Sequence, residues 1–340
     1  MKIYMNRNKF VQLKTREEYE HFKSSNSCYT VAIGKEYKYI NGQLYDESNQ
    51  RQHKDRFDFY ISSDENELSL SESQKRAIKY IDKDIFIMNY NWGWNYHNMY
   101  YECLPQIYIY IELLKHNKDL HVSIPLNFLE MFKHIFLFLN LDSEMIIKEE
   151  NFQCKTCMFS NFCKLYFLSG ISLDMHPYHY KINSLIKDNL KYNRNELTNK
   201  LLYLSRRGNL AGKNRYIIND CEINNLIIEN NGKITYLEDN TLQEKYNLVS
   251  NNETIITQVG ANLVNLYFSD ISNTKKIILL APSFASEHYI HWNVYFLKKY
   301  TGIENIRLIT GETIHLFDES HGDLVNQPFK INIQDVIDEL

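Results

Sequence analysis

The chain has 340 residues, more than one typical core accommodates, so about two domains are expected. Hydrophobic residues at 44% and charged residues at 24% give the balance of a folded globular protein, and a net charge of −4 excludes a bulk basic footprint for nucleic acid. No run reaches the roughly 18 apolar residues of a membrane span, and the polar Met1–Lys9 start lacks the features of a secretory signal, so a cytoplasmic location is expected.

In chain order, residues 1–80 read as an irregular lead-in with short strands at 29–33 and 57–61 and turns at Gly42 and 62–66. A strand, helix, strand alternation begins at Ile85–Met88. Asn98–Lys115 is helical, with Pro105 distorting or restarting it. A strand follows at 121–124, a helix at 126–140 and a strand at 145–147. The stretch 151–199 reads as a crossover between domains. The second half alternates more clearly. Strands are predicted at 201–204, 234–237, 254–256, 277–280 and 306–309. Helices fall between them: one capped by Asp220 and stopped at Asn231-Gly232, one opened by the Thr241-x-x-Glu244 capping box, one over 261–268, and one over 288–300. Such alternation predicts a doubly wound parallel sheet, and with the weaker pattern ahead of it an α/β architecture of two Rossmann-like domains facing a cleft. The expected boundaries are 1–185, 186–315 and a C-terminal tail at 316–340.

Doubly wound sheets hold ligands beyond the carboxyl ends of their strands. Two such ends stand out. Leu201–Leu204 runs into Ser205, Arg206 and Arg207, with Arg215, Asn219 and Glu222 shortly after. Guanidinium forks match phosphate oxygens. The strand at 254–256 runs into Gly260, Ala261 and Asn262, with Asn265 one turn on. Small residues there allow close backbone approach, and a helix start offers free N–H groups to an anion. Together they point to a diphosphate-bearing ligand such as a nucleotide-sugar. Neither a G-x-G-x-x-G nor a P-loop motif is present, so a nicotinamide or flavin site and a P-loop are not supported.

In the first half, the cluster Asn91–His97, followed by Glu102–Pro105, lies between a strand end and a helix. His97 at the helix start would be kept neutral by the dipole and so suited to act as a base, with Glu102 as its alternate. Cys154-Lys-Thr-Cys157 with Cys163 and His176 has the composition of a zinc site but not its usual spacing, and reads as reduced thiols. Asp82-Lys83-Asp84 reads as a solvated turn, and His288, His291 and Trp292 as packing.

These clusters resemble glycosyltransferase family 61. Tyr96-His97 through Glu102-Cys-Leu104-Pro105 is similar to the family's early motif. Ser205-Arg206-Arg207 with Arg215-x-Ile-x-Asn219-Asp220-x-Glu222 resembles its middle motif, and Gly260-Ala261-x-Leu263-x-Asn265-x-x-Phe268 its late one. Val259 stands where many members carry His, and Lys245 near a position where many carry Gln. The resemblance implies a GT-B fold and an inverting transfer of a sugar, from a UDP-sugar by preference, to a glycan hydroxyl. It implies no obligatory metal and no cofactor beyond the donor as co-substrate. The same architecture would also suit a polysaccharide pyruvyltransferase or another transferase, and Val259 keeps a non-catalytic glycan- or nucleotide-binding module in view.

Overall fold

The computed structural model describes residues 11–12, 31–35, 38–40, 43–45, 78–88, 99–149, 151–160, 177–190, 200–206, 216–283, 287–314 and 328–340. The chain divides into two compact units, Met1–Ile182 and Asn183–Leu340. Both are α/β with parallel strands at their centre. No helix among the described residues is long and apolar enough to cross a membrane.

The first unit holds an eight-stranded mixed sheet. Its main path contains β1 (Val11–Gln12), β2 (Val31–Lys35), β8 (Asn151–Ser160), β5 (Lys79–Ile87), β6 (His121–Ser123) and β7 (Ile146–Ile147), in that order, while β3 (Lys38–Ile40) pairs with β8 and with β4 (Gln43–Tyr45). The run β8-β5-β6-β7 is parallel, and β2 and β3 join β8 antiparallel. Two predictions are revised here. Asn151–Ser160 is an inner strand, not the start of a crossover. Asp82 and Lys83 are exposed within β5, where its pairing with β8 shifts register between Ile81 and Asp84, so they mark a bulge rather than a turn. The predicted strand at 57–61 lies outside the described residues.

Between β5 and β6, a π-helical turn over Met99–Cys103 leads into α1 (Leu104–Leu114), with Pro105 in its first turn. The helix thus restarts at the residue that has no N–H to contribute, in the one region of a helix where none is needed. α2 (Leu129–Phe138) follows β6, and α3 (Pro177–Asn189) spans the boundary between the units.

The second unit is a six-stranded sheet ordered β10-β9-β11-β12-β13-β14, comprising β9 (Leu201–Ser205), β10 (Lys233–Tyr236), β11 (Thr254–Gln258), β12 (Lys276–Pro282), β13 (Ile306–Thr313) and β14 (Phe329–Lys330). All pairings are parallel except that of β14 with β13. α4 (Asp220–Glu229), α5 (Leu242–Val249), α6 (Val264–Phe268) and α7 (Glu287–Thr301) make the successive crossovers, and α8 (Ile333–Ile337) closes the chain. β9 is buried at every position, as a parallel strand covered on both faces must be. Leu201, Tyr203, Ile256, Ile278, Leu280 and Ile309 form one core with Ile223 and Ile227 of α4, Phe329 of β14 and Val336 of α8. Each such side chain stabilises the fold by about 1.5–3 kcal/mol relative to exposure. Phe329, Ile331 and Val336, near the end of the chain, therefore belong to this core.

Candidate functional site

The strand order places β9 between β10 and β11, while the chain runs β9, β10, β11, β12, β13. The sheet therefore grows one way from β9 and then the other. That reversal makes the carboxyl ends of β9 and β11 the topological switch point, the place where doubly wound sheets take ligands. Leu204 lies opposite Thr257, so the residues that follow, Ser205 and Arg206 on one strand and Gln258 to Gly260 on the other, emerge side by side. Adjacent strands are about 4.8 Å apart.

At the β11 end, Gly260 has φ 138° and ψ −154°, a conformation closed to residues with a side chain. Val259 N–H donates to the Leu280 carbonyl at 2.9 Å and ties the turn to β12. Ala261–Leu263 then makes a 3₁₀ turn that runs into α6. Asn265 is buried and braces this turn from below, its Nδ2 donating to the Asn262 carbonyl at 3.1 Å while its own carbonyl accepts from Ser269 Oγ at 2.7 Å. Among the described residues, Asn262 Nδ2 is a buried donor with no hydrogen-bond partner. Such a group costs about 1–3 kcal/mol unless something accepts from it.

At the β9 end, Ser205 is buried and its Oγ donates to Asp220 Oδ2 at 3.0 Å. Tyr203 Oη donates to Oδ1 of the same carboxylate, and Asn224 Nδ2 to Oδ2 at 3.1 Å. Burial first, and the adjacent Asp220 charge second, push the Tyr203 phenol well up, so it remains a donor. Asp220 is thus not the cap of α4 but its first residue. The cap position is Asn219, whose side chain makes no capping bond. Its amide is committed elsewhere: Nδ2 donates to the Ile331 carbonyl at 2.8 Å and Oδ1 accepts from Ile331 N–H at 3.0 Å. Glu222 is exposed on the first turn of α4 and accepts from Asn219 Nδ2 at 3.3 Å.

Ser205, Arg206, Gly260, Ala261 and Asn262 thus share one edge of the sheet, and the start of α4 reaches it through Asp220. Arg207, Arg215 and His97 lie outside the described residues. Glu102 falls in the π-helical turn, with its side chain outside them. Cys154 and Cys157 are buried in β8, and burial followed by the neighbouring Cys154 pushes the Cys157 thiol well up, which opposes thiolate chemistry there. Cys163 and His176 lie outside the described residues. Sequence reasoning took Asp220 for a cap and missed its role as the shared acceptor of Tyr203, Ser205 and Asn224. The only local sign was the Asn219-Asp220 pair, two good caps in succession at one helix start.

The fold defines an α/β protein whose second sheet has the strand-order reversal at which doubly wound sheets hold their ligands. Residues 96–278 match the family Glycosyltransferase 61, over more than half of the chain. The chain belongs to glycosyltransferase family 61, and its activity is that of a glycosyltransferase. No curated protein sequence matches it. The matched span starts at the Tyr96-His97 motif and ends within β12, so β13, β14 and α8 lie beyond it.

Proposed function

We propose that the protein moves a sugar from a nucleotide-sugar, a UDP-sugar by preference, to a glycan hydroxyl in the cytoplasm, with inversion and without an obligatory metal. Two Rossmann-like domains in a GT-B-like pair would divide the work, residues 1–185 on the acceptor side and 186–315 on the donor side. The acceptor oxygen attacks the anomeric carbon, the bond from that carbon to the diphosphate oxygen breaks, and the hydroxyl proton passes to a base. His97 is the proposed base and Glu102 its alternate.

The observation that carries this reading is the juxtaposition of Arg206 with the Gly260–Asn262 turn at the β9/β11 switch point of a family 61 chain. A departing diphosphate needs cations and preorganised N–H donors. The guanidinium of Arg206, aided by Arg207 and Arg215, would supply the first, and the turn after Gly260 together with Asn262 Nδ2 the second. Product analysis with a panel of UDP- and GDP-sugars, with and without EDTA, tests donor and metal together. Transfer that survives chelation and is lost in folded Arg206→Ala is the expected result. Full turnover in Arg206→Ala would remove the assignment.

A further inference from the structure

An asparagine at a helix cap normally accepts from its own helix, a bond worth about 1 kcal/mol. Asn219 forgoes it. Both ends of its amide go to the backbone of Ile331, 112 positions later. The bonds around it extend the attachment. Phe329 N–H donates to the Tyr216 carbonyl at 3.1 Å, Ile218 N–H donates to the Phe329 carbonyl at 2.8 Å, and Ile217 pairs with Phe329 as a parallel bridge. Residues 216–218 are thus laced to β14, and Asn219 to the residue just after it, while β14 is itself paired with β13. One position further on, Asp220 holds Ser205 and Tyr203 at the end of β9.

Two adjacent residues therefore fasten the start of α4, Asn219 to Ile331 and Asp220 to the end of β9. The end of β9 leads directly into Arg206. We infer that Asn219 and Asp220 are positioning residues for the donor diphosphate: Asn219 pins the start of α4 to Ile331, and Asp220 from there holds Ser205, the residue before Arg206, at the end of β9, neither of them touching the ligand. The inference rests on the donor-site reading above and assigns a role to β14, which lies beyond the family-matched span. Bidentate contacts to phosphate depend on placement, and a displacement of about 1 Å costs a large factor in such a site.

The test uses the full chain and its variants Arg206→Ala, Asn219→Ala, Asp220→Ala and Asp220→Asn. Each is melted without ligand and then titrated calorimetrically with UDP and with GDP, well below its melting point. Asn219→Ala and Asp220→Ala are expected to retain cooperative melts and to weaken the preferred nucleotide at least tenfold. Asp220→Asn is expected to fall between wild type and Asp220→Ala, because a neutral amide accepts more weakly than a carboxylate. A purely structural role would lower the melting point and leave the affinity of the folded fraction alone. Nucleotide affinity within twofold of wild type in folded Asn219→Ala, with Arg206→Ala having lost it, overturns the inference. Should Asn219→Ala fail to melt cooperatively, the Asp220 pair decides, and wild-type affinity in both overturns it equally. Wild-type affinity in Arg206→Ala, or no binding of either nucleotide to the wild type, overturns the donor-site reading and this inference with it.

Discussion

Asn262 and Gly260 sit two residues apart, and mutation should weaken nucleotide binding at both while changing stability differently. Gly260 holds φ 138°, where a side chain strains the backbone by about 1–3 kcal/mol. Gly260→Ala is therefore expected to lower thermal stability by that amount and, by turning the following N–H groups, to weaken nucleotide binding. Asn262 Nδ2 is buried with no partner among the described residues, and such a donor carries the cost of its desolvation. Asn262→Ala removes that cost. Its expected outcome is a stability equal to wild type or up to about 1 kcal/mol higher, read from chemical denaturation, together with weaker UDP affinity, read by calorimetry. If Asn262 merely packs the turn, stability falls and affinity stays.

At the scale of elements, the junction of β13 and β14 is built on a close approach. A Cβ at Gly311 would lie 2.5 Å from the Lys330 carbonyl oxygen, 2.8 Å from Phe329 Cδ2 and 2.9 Å from Ile331 Cδ1. A backbone carbonyl cannot step aside without opening the strand pair. Gly311→Ala is expected to destabilise the chain by about 1–3 kcal/mol. It should also speed amide exchange at Phe329 and Ile331, measured by hydrogen exchange. The parallel strands of this unit were legible as short apolar runs, and the start of α5 was legible because a capping box is a local device: Thr241 N–H meets Glu244 at 2.7 Å, and Glu244 N–H meets Thr241 Oγ1 at 3.3 Å. Asn231, at φ 56°, closes α4 where the Asn-Gly pair predicted a stop. β8 was not legible. Its burial changes phase between Cys154 and Cys157, where it passes from pairing with β3 to pairing with β2, so no single period marks it. β14 is two residues long, and its partners Tyr216 and Ile218, like the Asn219 that holds Ile331 just after it, lie more than a hundred positions away, a distance no local pattern encodes. The same reason hid the true use of Asn219. Its type was noticed, but the bonds that define it belong to a segment with no signal of its own. At the candidate site, the placement of Ser205, Arg206 and Gly260 at strand ends was readable because apolar runs predict strand ends, whereas the Asp220 network depends on the fold bringing β9 and α4 together.

For the whole molecule, each unit has its own sheet, and the residues proposed to grip the diphosphate all come from the second. A ligand that binds only the folded state stabilises by RT ln(1 + [L]/Kd), about 2.7 kcal/mol at a hundredfold excess over Kd. Where that stabilisation appears along the chain distinguishes a donor site confined to one unit from one shared by both. With UDP at such an excess, hydrogen exchange is expected to slow at Leu201–Ser205, Thr254–Gln258 and Ala261–Phe268, while β5 and β6 of the first unit exchange as before. An acceptor glycan added afterwards should slow exchange around the π-helical turn at Met99–Cys103, which follows His97 and contains Glu102. π-Helical turns break the regular hydrogen-bond ladder and recur at functional sites, which makes this one a sensitive reporter. Slowing of equal size in both units on UDP alone would mean that the first unit also grips the nucleotide. The division of donor and acceptor between the two sheets would then be wrong, even with Arg206 correctly assigned.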